Sequence, residues 1–150
     1  MNKIELIKKF NLISENIPKN EWKYFHRGSL SNFIYNIDEI KDTSKKEKTN
    51  QILFNCINDI ELNFEPDSDY SIYLFNNYLG HIVPIYRNTL GFSVVPSKYA
   101  LISCIIISIA VFILLLPNLI WEVIFCGIVI LITYRDIVKF KMHKVYGFRY

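Results

Sequence analysis

The sequence predicts a mainly α membrane protein: a small N-terminal helical domain, a C-terminal two-helix transmembrane hairpin and a short basic tail. Three observations carry that expectation. Residues 98–133 hold a single cation, Lys98, and a single anion, Glu122. Residues 1–97 are nearly balanced, 11 Lys/Arg against 12 Asp/Glu, and place their apolar residues at helical spacing. Residues 134–150 carry five Lys/Arg against Asp136 alone. A composition of 51% hydrophobic and 21% charged residues excludes a disordered chain. Three cysteines in 150 residues exclude a disulfide-stapled miniprotein.

Within 1–97, read as a cytoplasmic domain, the first helix shows Ile4, Ile7, Phe10 and Ile13 on one face, and Pro18 closes it. A second helix is expected to start near Ser29 as its cap, with Leu30, Phe33, Ile34, Ile37 and Ile40 turned inward. Residues 41–50, KDTSKKEKTN, read as a charged connector. Ile52, Leu53, Cys56, Ile57, Ile60 and Phe64 then recur at three and four, ending at Pro66. Asp67 to Leu79 makes a fourth helix, with Gly80 as its stop. Two prolines and Gly91 make 81–97 irregular, with a short β piece over Phe92–Val95. That stretch lies either along lipid headgroups or beneath the helices.

The hairpin occupies 98–134. Residues 99–116 are eighteen in number without a charge, ~27 Å of helix against a hydrocarbon core of ~30 Å. Pro117-Asn118 is the turn, and 119–134 returns over ~24 Å. A buried core pair is the competing reading, but the other 97 residues could not wrap two helices apolar on every face. Lys98 flanks one open end of the hairpin and Arg135, Lys139, Lys141 and Lys144 the other, while the connection has no cation. The protein is therefore expected in the bacterial inner membrane, multi-pass, with both termini cytoplasmic. Tyr99 and Tyr134 would mark the inner interface and Trp121 the outer. MNKIELIKKF, with its frequent charges, reads as no cleavable signal.

Small residues at Ala100, Cys104 and Ser108 form one row, and Ser108 is expected opposite Gly127. The alternative turns that row toward another subunit. Glu122 either sits at the helix N-terminus, where its charge is favourable, or contacts a partner's cation or an ion. The cysteines at 56, 104 and 126 lack CxxC spacing and read as structural thiols. Arg135, Lys139, Lys141 and Lys144 either touch lipid headgroups or merely fix topology.

The search for chemistry is mostly negative. P-loop, GxGxxG, GxSxG and HExxH patterns are absent. His26, His81 and His143 lack a second ligand at metal spacing, and no Ser or Cys nucleophile is identifiable beside His26. Glu65, Asp67 and Asp69 could suggest a cation site but lack EF-hand spacing, so capping aspartates are the preferred reading. Trp22, Tyr24, Phe25, Tyr70, Tyr73, Phe75 and Tyr78 are core by default and a binding face otherwise. Lys45-Lys46-Glu47-Lys48 reads as a solvated loop, not a nucleic-acid patch. No metal, cofactor or catalytic residue is expected. The expected function is a non-enzymatic integral membrane protein that binds lipid and another protein, or itself. An immunity protein against a membrane-acting toxin or an accessory subunit of a membrane complex fits that description. The competing class is a membrane-permeabilising effector whose N-terminal domain controls oligomerisation of the hairpin.

Overall fold

The computed structural model describes residues 3–94, 105–111 and 119–147, and only the backbone at 119–122 and 140. The chain divides into two units, Met1–Val94 with His143–Tyr150, and Val95–Met142. The first contains α1 (Lys3–Asn16), a 3-10 turn (Lys19–Phe25), α2 (Arg27–Asn36), a second 3-10 turn (Ile37–Glu39) and α3 (Thr43–Asn63). It continues through α4 (Ser68–Leu74), a π turn (Phe75–Leu79), α5 (Gly80–Leu90) and two strands, β1 (Ser93–Val94) and β2 (Val145–Tyr146). The second unit contains α6, residues 105–111, and α7 (Leu119–Lys141).

The core of the first unit follows helical periodicity. Leu30, Phe33, Ile34, Ile37 and Ile40 are all buried, as their spacing requires, and Leu53, Cys56, Ile57 and Ile60 face them from α3. On α1 the buried row is Leu6, Phe10 and Ile13, whereas Ile4 and Ile7 face solvent. Two apolar rows overlap on that helix, and only the one containing Leu6 continues into the core.

Helix boundaries differ from expectation where local bonds decide them. Asp42 accepts a hydrogen bond from the Lys45 amide at 3.1 Å, so α3 begins at Thr43 and absorbs most of the expected connector. The Lys and Glu residues there are good helix formers. Asp67 likewise caps α4, accepting from the Tyr70 amide at 2.6 Å. Gly80 is not a stop: the π turn brings the Phe75 carbonyl oxygen to 3.1 Å from where a Cβ would lie. A bare α-carbon allows that approach, and α5 runs on to Leu90 through part of the stretch expected to be irregular. Pro84 lies inside α5 shortly after the π turn, and lacks the amide that would bond to the Gly80 carbonyl. Gly91, at φ 71°, ends the helix and turns Phe92 into the core.

β1 and β2 pair in parallel, Ser93 opposite Val145 and Val94 opposite Tyr146. The chain thus returns to its first unit after residues 95–142.

The expected transmembrane hairpin over 98–134 is not supported. Among the described residues, no helix is long and apolar enough to cross a membrane. Any eighteen consecutive residues of α7 include at least three of Glu122, Arg135, Asp136, Lys139 and Lys141, because the helix does not end at Tyr134. Its charged last turns belong to the same rod as its apolar first turns. The multi-pass inner-membrane placement with cytoplasmic termini rested on that hairpin and loses its support with it. Most of the first expected span, 99–116, together with Pro117 and Asn118, lies outside the described residues.

Candidate functional site

Three places in the structure gather chemistry or exposed apolar surface. The first joins His26 and Ser71, 45 residues apart and both fully buried. Sequence spacing could not reveal this pair. His26 Nε2 stands 2.9 Å from the Ser71 carbonyl oxygen and 3.0 Å from Ser71 Oγ. A carbonyl only accepts, so Nε2 carries the proton and donates to it. A protonated Nε2 cannot take a proton from Ser71 Oγ, and the sealed position admits no substrate. This pair ties the junction before α2 to α4; it is not a catalytic dyad.

The second place is a carboxylate beneath phenols. Asp59 of α3 is nearly buried and accepts from Tyr78 Oη at 3.0 Å and from Asn63 Nδ2 at 2.6 Å. Burial first, and then the bond to Asp59, raise the Tyr78 hydroxyl above the usual phenol range. Tyr70 is buried alongside, and burial raises its phenol too. Tyr73, in contrast, is exposed. The aromatic set of the sequence is therefore divided: Phe25 and Tyr70 belong to the core, while Tyr73 lies at the surface. Among the described residues, no group of three His, Cys, Asp or Glu side chains could hold a metal ion.

The third place is the second unit, whose described surface is apolar to an unusual degree. Ile105, Ile106, Ile107 and Ile109 of α6 are all more than half exposed. On α7, Val123, Ile124, Ile128, Ile130, Leu131, Ile132 and Ile137 are exposed, Leu131 by 69%. β-branched residues on every side of one helix give it no solvated face until Arg135. Ser108 and Ile109 line a shallow cavity of about 340 Å³ with Phe125, Cys126, Val129 and Ile130. Ser108 and Cys126 line this cavity together, Gly127 does not, and a Cβ built at Gly127 finds nothing within 4 Å. Cys126 is exposed as a free thiol.

The remaining residues singled out by sequence are dispersed. Tyr99, Ala100 and Cys104 lie outside the described residues, as do the side chains of Trp121 and Glu122. Tyr134 is exposed on α7, where the adjacent Arg135 pairs with Asp136 at 3.3 Å. Lys139 and Lys141 occupy the last turn of α7, the end at which cations are favoured. Lys144 belongs to the first unit and pairs with Glu39 at 2.8 Å.

Beside Lys144, three side chains of α2 hold the returning backbone. Ser29 Oγ accepts from the Gly147 amide at 3.0 Å, Asn32 Nδ2 donates to the Val145 carbonyl at 2.8 Å, and Asn36 Nδ2 donates to the His143 carbonyl at 3.1 Å. Ser29 is consequently an interior residue of α2 and not its cap. That position falls to His26, at φ 53°. No family model matches the chain, and neither the curated proteins nor the solved structures give a match.

Proposed function

We propose that this chain is a non-enzymatic binding protein that holds another polypeptide against the apolar surface of α6 and α7. An immunity protein or an accessory subunit of a complex would work in this way. The observation that carries the reading is the exposure of Val123 and Ile124, and then of every residue from Ile128 to Ile132, on α7. Contiguous apolar surface of this kind is costly in water, and it marks sites that a partner covers. Full burial is worth ~1.5–3 kcal/mol per side chain, and these are about half exposed, so covering five of them releases roughly 4–8 kcal/mol. Association itself costs roughly 4–15 kcal/mol, so affinity depends on how well the partner fits. The effector reading needs a spanning hairpin, and no described helix supplies one.

Site-specific photo-cross-linking in the native cell tests the proposal. A photoreactive residue at position 130 should give one discrete adduct with a second polypeptide. The same residue at position 62, more exposed but on α3, should give none. Absence of a discrete adduct at 130, or equal adducts at both positions, would overturn the reading.

A further inference from the structure

A cleft in the first unit carries chemistry that the apolar surface does not use. Pro18 ends α1 and lacks the amide that would bond to the Ser14 carbonyl four residues back. The Trp22 indole replaces it: Nε1 donates to Ser14 O at 3.3 Å and to Ile17 O at 3.0 Å. The ring is therefore fixed, with its single donor already used. The Arg27 guanidinium lies over its face, Cζ 3.7 Å from the ring centroid, and Lys19 Nζ stands 6.0 Å from that centroid. Around them opens a cleft of about 550 Å³, within the ordinary range for small-ligand sites.

The cations in this cleft are uncompensated. Among the described residues, neither Arg27 nor Lys19 joins an ion pair. Arg27 Nε is shielded from water and has no acceptor, and the buried Ser14 Oγ beside the cleft has no partner either. The carboxyl end of α1 accounts for part of this positive charge, since α1 has no basic residue in its last turn. Yet neither cation bonds to a carbonyl there. Glu15 is the one acidic side chain lining the cleft, and it too is unpaired.

The geometry points to a binding site for an oxyanion, a carboxylate or phosphate group, held by the Arg27 fork on the Trp22 platform with Lys19 at its flank. Stacking on an indole holds the guanidinium flat and leaves its edge for a two-oxygen partner. This inference is independent of the apolar surface and can fail without affecting it.

Trp22 itself reports binding. In the full chain carrying Trp121→Phe, inorganic phosphate and glutarate are titrated separately at ionic strength held constant with KCl. A saturable change in Trp22 emission with either anion supports the site, and the responding anion assigns the group it takes. Arg27→Gln should weaken that binding about tenfold or more, the usual scale for losing a charged hydrogen bond. Glu15→Gln, at an exposed position, should tighten it about two- to fivefold by removing a like charge. No saturable response to either anion, or an unchanged midpoint in a folded Arg27→Gln protein, would overturn the proposal. Should Arg27→Gln not fold, Glu15→Gln decides: a midpoint unchanged or weakened overturns it.

Discussion

The row Ser29, Asn32 and Asn36 on α2 makes a quantitative prediction about how the chain's last residues are held. Steps of three and four along a helix rise ~4.5 and ~6 Å, while alternate residues of a strand advance ~6.6 Å. The helix row therefore keeps pace with backbone groups at 147, 145 and 143, running the opposite way. Asn32→Ala removes the donor to Val145 O, a carbonyl that faces a buried side chain on a residue only 5% exposed. A buried acceptor left without a partner costs about 1–3 kcal/mol. The loss should fall on docking of residues 143–147 and leave the helices intact. Hydrogen exchange followed by mass spectrometry or NMR reads it directly. The Ser93 amide, which donates to Lys144 O, and the Gly147 amide, which donates to Ser29 Oγ, should exchange roughly fivefold to a hundredfold faster. Amides in the middle of α3 should keep their rates. Unchanged exchange at Ser93 and Gly147 would refute the argument, and so would equal acceleration in α3, which would mean that the strand is no separate unit of stability.

Tyr86 donates to the Phe33 carbonyl at 2.6 Å inside the core, so Tyr86→Phe should cost about 1–2 kcal/mol in urea unfolding followed by Trp22 emission in a Trp121→Phe background. Tyr86→Leu also removes the ring contacts with Phe33 and Phe92, at 4.7 and 4.9 Å, and should cost about 3 kcal/mol or more. At His26, φ 53° favours glycine, so His26→Gly should be more stable than His26→Ala by about 1 kcal/mol, although both lose the bond to Ser71. Burial raises the Tyr86 phenol, the Tyr70 phenol and the Cys56 thiol, so the unfolded chain releases these protons first as pH rises. Stability should be fully present below the unfolded values of 9.0 for the thiol and 10.0 for the phenols, and fall above them in a pH series of urea midpoints.

What could be read from the sequence was whatever repeats locally. Leu30, Phe33, Ile34 and Ile37 announce their shared burial because one helix places them within two turns of each other. The pairs that define the candidate sites have no such period. His26 and Ser71 are separated by 45 residues, and Ser29 and Gly147 by 118. A two-residue strand is too short to show alternation, so Val145-Tyr146 read as part of the basic tail. Trp22 was visible as an aromatic residue, but its partner at i+5 faces it across the end of a 3-10 turn and a left-handed His26, which no sequence period announces. Pro18 and Trp22 together carried the available signal: a helix stop followed by an indole able to replace the missing amide.

The second unit shows the same limit from the other direction. Hydropathy marks where an apolar run lies, but helix length is set by where the next breaker falls. Nothing between Tyr134 and Lys141 breaks a helix, so α7 takes in Arg135, Asp136, Lys139 and Lys141 as part of one rod. The isoleucines of Val123–Ile132 are still exposed, and the cost of that exposure is unaffected by the rod's length. The first unit buries its own core with residues from α1, α2, α3, α4 and α5, and the exposed side chains of α7 belong to the second unit. In the reading proposed above a partner with its own apolar face lowers that cost, and the adduct at position 130 is the test of it.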